Sequence, residues 1–436
     1  MKSIDPREKG WLKKYLEYRK YLVAEGECQK IAEKLSSFDK IDEYLYCVTQ
    51  PTGLMYGFPL NFYATSYSES SKWANKSKMK ILLAESFYSS GMYFYKDEVI
   101  TKKATIDIHA ELTKSISSFY IDLFPHFSKK QHKKEFGKTK NEIELAEYII
   151  EERIDIKQKW SKNFWTSFFQ NSLLFLDIYY FTEWLDSKKI ITNSEFYELH
   201  NNVRLTILQI IAAAANANKI IETEERSLYN FFLHSSELAT EKEKEASKYL
   251  EQGLTVDDID LHAIDSWLLK KYFLELATLT IWSDKEVDQD EKEFLRKLNT
   301  KLGFENKELE NSLIAVESFV IENWQEVHYL QDKQKYRIVG NSLLKSIANL
   351  VGEYKSKISQ EIAESKELLE LLNKSRKKKL SLKEKEKVRL QLIDILKTLP
   401  IFAIVAIPGS FLTLPLLFKI LPKSVFPTSF KNPNIN

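Results

Sequence analysis

One stretch constrains this chain more than any other. Residues 399–421 read LPIFAIVAIPGSFLTLPLLFKIL, with no acidic residue and a single basic one, Lys419, near the far end. A helix rises about 1.5 Å per residue, so the stretch is long enough to cross a hydrocarbon core of about 30 Å. It predicts a membrane span, with everything before it the soluble part that the span anchors. Pro408 and Gly409 fall at its middle and Pro415 follows one to two turns later. Proline removes a donor and clashes with the preceding turn. In lipid the freed carbonyls need other partners, so the span is expected either to kink or to form a broken, re-entrant segment. Lys419 can snorkel to the far interface.

The charge pattern gives this span a direction. Ten Lys or Arg residues lie in 374–397, against Lys423 and Lys431 after the span. The positive-inside rule then predicts a single-pass protein of a bacterial inner membrane, with residues 1–398 cytoplasmic. Met1–Gly10 has no apolar signal-peptide core and is no Arg/Ser-rich presequence, which is why a bacterial setting is expected. Ser381 and Glu384 form a capping-box pattern that opens a helix. Val388, Leu392, Ile395 and Leu399 stripe that helix, which is expected to run into the membrane. Lys377, Lys378, Lys379, Lys383, Lys387 and Arg389 are the expected contacts to anionic lipid headgroups.

The prolines also carry a resemblance. Pro400-Ile401, Ile407-Pro408, Leu414-Pro415, Lys419-Ile420-Leu421-Pro422 and Phe426-Pro427-Thr428-Ser429-Phe430 resemble the signature of the LETM family. These are leucine-zipper, EF-hand-containing transmembrane proteins of the mitochondrial inner membrane, with bacterial relatives, one branch of them biofilm-associated. On that resemblance Pro400, Pro408, Gly409, Pro415, Lys419, Pro422, Pro427 and Phe430 form the membrane motif. The resemblance implies cation/proton exchange, or ribosome contact at the membrane. Two departures stand against those roles. The family's ribosome-binding-like domain after the span has no counterpart before Asn436. Its acidic residue past the central proline is also missing, because Gly409, Ser410, Phe411 and Leu412 supply none.

Fold class follows from punctuation. Only 11 Gly and 10 Pro occur in 436 residues, alongside 26 Phe, 22 Tyr and 8 Trp. Few turns and large core-forming side chains predict an all-α, multi-helix fold. The expected organisation is an N-terminal helical domain (1–140) and a helical bundle (141–345). A coiled-coil-like and basic juxtamembrane region (346–398), the span (399–421) and a short tail (422–436) follow. Short strands or an ordered loop are plausible only between Tyr44 and Tyr67. Phe164–Leu185 is very aromatic, but Gln170, Asn171, Asp177 and Glu183 would be costly in lipid, so it reads as a buried core helix. The basic segment 128–140, with His132 inside it and His126 just before, reads as a solvated linker. Ile358, Ile362, Leu369 and Leu372 make a short coiled-coil-like seam. Cys28 and Cys47 form neither a CxxC motif nor a disulfide framework.

Residues 203–304 contain a weak internal repeat with an offset of 66. Each copy is an apolar helix, a polar turn, an acidic restart and an amphipathic helix. Ile207, Ile210 and Ala213 align with Phe273, Leu276 and Leu279, and Leu228 and Phe232 with Phe294 and Leu298. Ser283-Asp284-Lys285-Glu286-Val287, and Ala217-Asn218-Lys219-Ile220-Ile221 with Asn for Asp, resemble the TerB-like (tellurite-resistance) helical fold. That resemblance implies that acidic positions are metal candidates. The residues themselves favour capping: Asp288 can accept from a first-turn amide and Glu291 can reach back. An EF-hand reading fails at Gln289, where glycine is needed, and at Leu295, where glutamate is needed. A weak divalent-cation site at Asp284 and Glu291 stays open as the alternative; no other cofactor is expected.

No Walker A loop, GxGxxG, HExxH or GxSxG motif occurs. The chain therefore reads as a membrane-anchored helical adaptor rather than an enzyme. Its expected partners are anionic lipid and, beyond that, a second copy, an envelope protein or the ribosome. A net charge of +2 gives no nucleic-acid signature.

Overall fold

A computed structural model of the chain describes residues 4–59, 62, 70–99, 101–124, 127, 141–154, 164–187, 191–221, 223–282, 289–322, 333–378, 380–399 and 414–421. The protein is all-α, and there is no strand among the described residues. It divides into two compact units, Met1–Leu276 and Ala277–Asn436.

The first unit opens with α1 (Trp11–Leu22), a kinked segment (Val23–Glu27), α2 (Cys28–Ser36) and α3 (Ile41–Thr49). Then come α4 (Asn75–Met92), α5 (Lys102–Leu123), α6 (Glu142–Ile154), α7 (Phe164–Asp186), α8 (Asn193–Ala215) and α9 (Thr223–Ser235). Two short helices, α10 (Thr240–Ala246) and α11 (Tyr249–Gln252), precede α12 (Trp267–Ile281), within which the first unit ends. The aromatic core helix expected from the sequence is α7: from Leu173 to Trp184 every residue except Glu183 is buried. It packs on α4, α5 and α9, and on a 3-10 turn, Leu54–Tyr56, where a strand or loop was expected. Gly53 and Gly57 flank that turn at φ 81 and 69, a region that favours glycine. Phe87 and Phe119 meet Phe181 edge-on, at 5.0 and 5.5 Å between ring centres.

Polar groups inside this core are matched by partners far away in sequence. Asp177 on α7 accepts from Arg153 Nε and Nη2 at 2.7 and 2.8 Å and from the Tyr120 hydroxyl at 2.6 Å. Glu275 on α12 accepts from the Tyr56 hydroxyl at 2.8 Å and also from Tyr46. Glu147 on α6 accepts from the backbone N–H of Gly10 at 2.6 Å and of Leu12 at 2.9 Å. Gly10 has no side chain to cap α1, so a carboxylate from another helix satisfies those first-turn donors.

Close approach of α4 and α5 depends on Gly91. A Cβ there would run into the Leu112 side chain, which is fully buried. On helix propensity alone Gly91→Ala would stabilise by about 1 kcal/mol. The expected outcome is instead a loss of about 1–2 kcal/mol from overpacking, read as a lower urea midpoint.

The helix boundaries follow the internal offset. α8 ends at 215 and α12 at 281; α9 spans 223–235 and α13 (Gln289–Lys301) spans 289–301, so all three boundaries repeat at 66 residues. Ile207, Ile210, Ala213 and Phe232 are buried, as are their counterparts Phe273, Leu276, Leu279 and Leu298.

The second unit continues from α13 through α14 (Asn306–Glu322), α15 (Lys333–Glu353), α16 (Lys355–Glu364), α17 (Lys366–Lys377), α18 (Leu382–Lys397) and α19 (Leu414–Ile420). Here the membrane expectation is overturned. Among the described residues no helix is long and apolar enough to cross a membrane, so the single-pass inner-membrane placement, with residues 1–398 cytoplasmic, is not upheld. Within 399–421 the described helix is α19, seven residues long, which packs on α15 and α18. It buries Leu417 and Ile420 against protein. Residues 400–413 and 422–436, with Pro400, Pro408, Gly409, Pro422, Pro427 and Phe430, lie outside the described residues. The stripe Val388, Leu392, Ile395 and Leu399, expected to lead into a bilayer, is likewise buried within this unit. Lys357 Nζ donates to the Thr398 carbonyl at 2.8 Å and satisfies the end of α18.

The coiled-coil-like seam is also revised. Ser365 ends α16 at ψ 89 and caps α17, its hydroxyl accepting from Leu368 N–H. The break resets the register, so Leu368 rather than Leu369 joins Ile358, Ile362 and Leu372 in the core.

Candidate functional site

α17 and α18 form a helical hairpin at the most basic part of the sequence. Its inner face is apolar: Leu368 and Leu372 from α17 and Val388 and Leu392 from α18 are fully buried. Its tip is set by the capping box anticipated from the sequence. The Ser381 N–H donates to Glu384 Oε2 at 2.9 Å, and the Glu384 N–H donates to Ser381 Oγ at 3.3 Å. Three contacts join the helices along their outer edge. Lys374 pairs with Glu384, Lys387 pairs with Glu367, and Gln391 Nε2 donates to the second Glu367 oxygen at 2.5 Å. Arg389 pairs with Glu386 at 2.6 Å within α18. Lys374, helped by the Ser381 N–H, holds the Glu384 carboxyl down at about 2, and Lys387 lowers Glu367. Both acids thus stay ionised, although solvent-exposed pairs of this kind add little to stability.

What these pairs leave over is the chemically informative part. Lys378 and Lys383 are exposed, Lys385 is half-exposed, and none enters an ion pair among the described residues. Leu382, the first residue of α18, is 86% exposed at the tip, and Leu390 on the same outward face is also exposed. The hairpin therefore presents an exposed apolar side chain close in sequence to exposed lysines. Of the residues expected to meet headgroups, Lys378 and Lys383 point to solvent, while Lys387 and Arg389 are drawn into intramolecular pairs. Lys379 lies outside the described residues, as does the side chain of Lys377. Leu382 and Leu390 were not singled out by sequence. The signal for Leu382 was its place directly after a capping serine, and both leucines lie off the 388–392–395 stripe.

The other anticipated residues fall elsewhere. Lys419 is exposed on α19, and the side chain of Pro415 is outside the described residues. Asp284 lies outside them too. Glu291, third residue of α13, is 1% exposed, and its counterpart at the 66-residue offset, Glu225 on α9, is 2% exposed. Burial of an acid at the same place in both helices was not anticipated. Among the described residues no group of three or more His, Cys, Asp or Glu side chains is placed to hold a metal. The segment 128–140 lies outside the described residues.

Compared with known proteins, the chain matches no family model, no curated protein and no solved structure.

Proposed function

We propose that this protein is a helical adaptor that rests on anionic lipid surfaces through its α17–α18 hairpin, as a peripheral contact. The observation that carries this reading is Leu382, 86% exposed at the tip of the hairpin among Lys378, Lys383 and Lys385. An apolar side chain gains free energy on leaving water. Each lysine near an anionic surface adds about 1 kcal/mol. The two terms act at the same point of the chain and favour the same orientation. The helix boundaries repeated at 66 residues support reading α8–α9 and α12–α13 as copies of one TerB-like unit, which would supply a helical scaffold for partners.

Co-sedimentation with phosphatidylserine-containing vesicles tests the proposal. The full chain is expected to pellet at low salt and to be released as the screening length falls from about 10 Å at 0.1 M to about 3 Å at 1 M. Lys383→Glu combined with Lys385→Glu is expected to weaken pelleting at least tenfold, with the thermal midpoint unchanged. Pelleting that ignores both salt and these substitutions would overturn the reading.

A further inference from the structure

The first unit contains a cavity of about 150 Å³ whose lining includes Arg19, Glu27, Lys30, Lys34, Tyr44 and Met92. Its geometry begins with one irregularity in the backbone. Between α1 and α2 the chain turns through a kink in Val23–Glu27, with Gly26 at φ 101, a conformation that favours glycine. Along a straight helix Arg19 and Glu27 would stand about 12 Å apart. The turn brings Arg19 Nη1 to 2.9 Å from Glu27 Oε1. Lys30 and Lys34, one turn apart on α2, follow on the same side of the opening.

Another part of the lining is fixed. The Tyr44 hydroxyl donates to the Ser89 carbonyl at 3.0 Å, and the Tyr44 ring stacks on Tyr93 at 5.5 Å. Met92 adds an adaptable apolar surface beside it. The lining thus combines cationic groups with aromatic and apolar ones. Three cations and one carboxylate line it, a formal excess of two positive charges. Arg19 is 4% exposed at its inner end, whereas Lys30 and Lys34 are exposed at its mouth.

We infer that this cavity is a binding site for a small phosphate monoester bearing an apolar or aromatic group. The phosphate dianion matches the excess charge, a guanidinium suits its oxygens, and Tyr44 and Met92 cover the organic part. The inference is independent of the hairpin, which lies in the other unit.

The probe is phenyl phosphate, titrated calorimetrically into the full chain at low salt. Saturable one-to-one binding is expected. Lys30→Gln combined with Lys34→Gln is expected to weaken it at least tenfold, and both sites are exposed, so folding should persist. The chain carrying Lys383→Glu and Lys385→Glu should bind phenyl phosphate as the unaltered chain does. Absence of saturable binding, or binding that the Lys30/Lys34 pair does not weaken, would overturn the assignment. Vesicles containing phosphatidic acid present the same monoester on a lipid. The hairpin variant should not bind them; binding there that is lost with Lys30 and Lys34 would give the site to a headgroup and overturn the small-molecule assignment.

Discussion

Replacing Asp177 by alanine is expected to cost the fold about 3–5 kcal/mol. Asp177 is 0% exposed and accepts three hydrogen bonds, two from Arg153 and one from Tyr120. Removing the carboxylate leaves a buried guanidinium whose remaining acidic contact is Glu237, at 3.3 Å. Water cannot reach the vacated side of the guanidinium cheaply, so the cost is mostly that of an uncompensated charge. Asp177→Asn keeps an acceptor and should lose less. Asp177→Leu with Arg153→Met removes both charges and should recover much of the loss. Urea unfolding of these three variants beside the unaltered chain checks the series. A cost below about 1 kcal/mol for Asp177→Ala would contradict this account of the core.

Acidification is the second large effect. His109 and His200 are buried, and burial, with Arg19 near the first and Arg204 near the second, lowers them to about 3 and about 2. An unfolded histidine titrates near 6.5. The unfolded chain therefore binds protons that the folded chain refuses, and stability is lost as the pH falls below 6.5 toward those lower values. Above 6.5 the contribution is fully present. At pH 5 each histidine should have cost about 2 kcal/mol relative to pH 7. Glu183 works the other way. Burial, with Asp42 and Asp186 adding, raises it to about 7, so it gains on acidification. The measurement is therefore a difference between chains. The drop in urea midpoint from pH 7 to pH 5 should shrink in His109→Gln and again in the double variant with His200→Gln. An unchanged drop would show that these histidines are not neutral in the folded state.

The sequence spoke clearly where local physics decides. Scarce glycine and proline, and an aromatic run interrupted by Asp177 and Glu183, led to an all-α protein with α7 in its core. The Ser381–Glu384 cap was legible because it closes within four residues. The apolar stretch at 399–421 misled for a physical reason. Hydropathy registers that a side chain avoids water but not what replaces the water. Leu417, Ile420 and the 388–399 stripe meet protein. The seam at 358–372 slipped by one residue because Ser365 was read as a gap in one helix, whereas it ends one helix and starts the next.

The sites were harder to read. Arg153 and Asp177 are 24 residues apart and Tyr46 and Glu275 are 229 apart, so no spacing rule links them. The cavity could have been suspected from Gly26, a glycine inside a helical pattern with Arg19 before it and Lys30 and Lys34 after it. Leu382 was hidden by its neighbours, since a run of lysines draws attention to charge and away from an exposed apolar side chain beside them.

The account's central claim is that the α17–α18 tip enters an anionic surface with Leu382 leading. Cys28 and Cys47 are buried, so a cysteine placed at Leu382 can be labelled selectively with an environment-sensitive dye. Adding phosphatidylserine vesicles should shift its emission to the blue and raise its intensity, and 1 M salt should reverse the change. The same dye placed at exposed Ser356, on α16 away from the tip, should barely respond, and an equal response at both positions would contradict the claim.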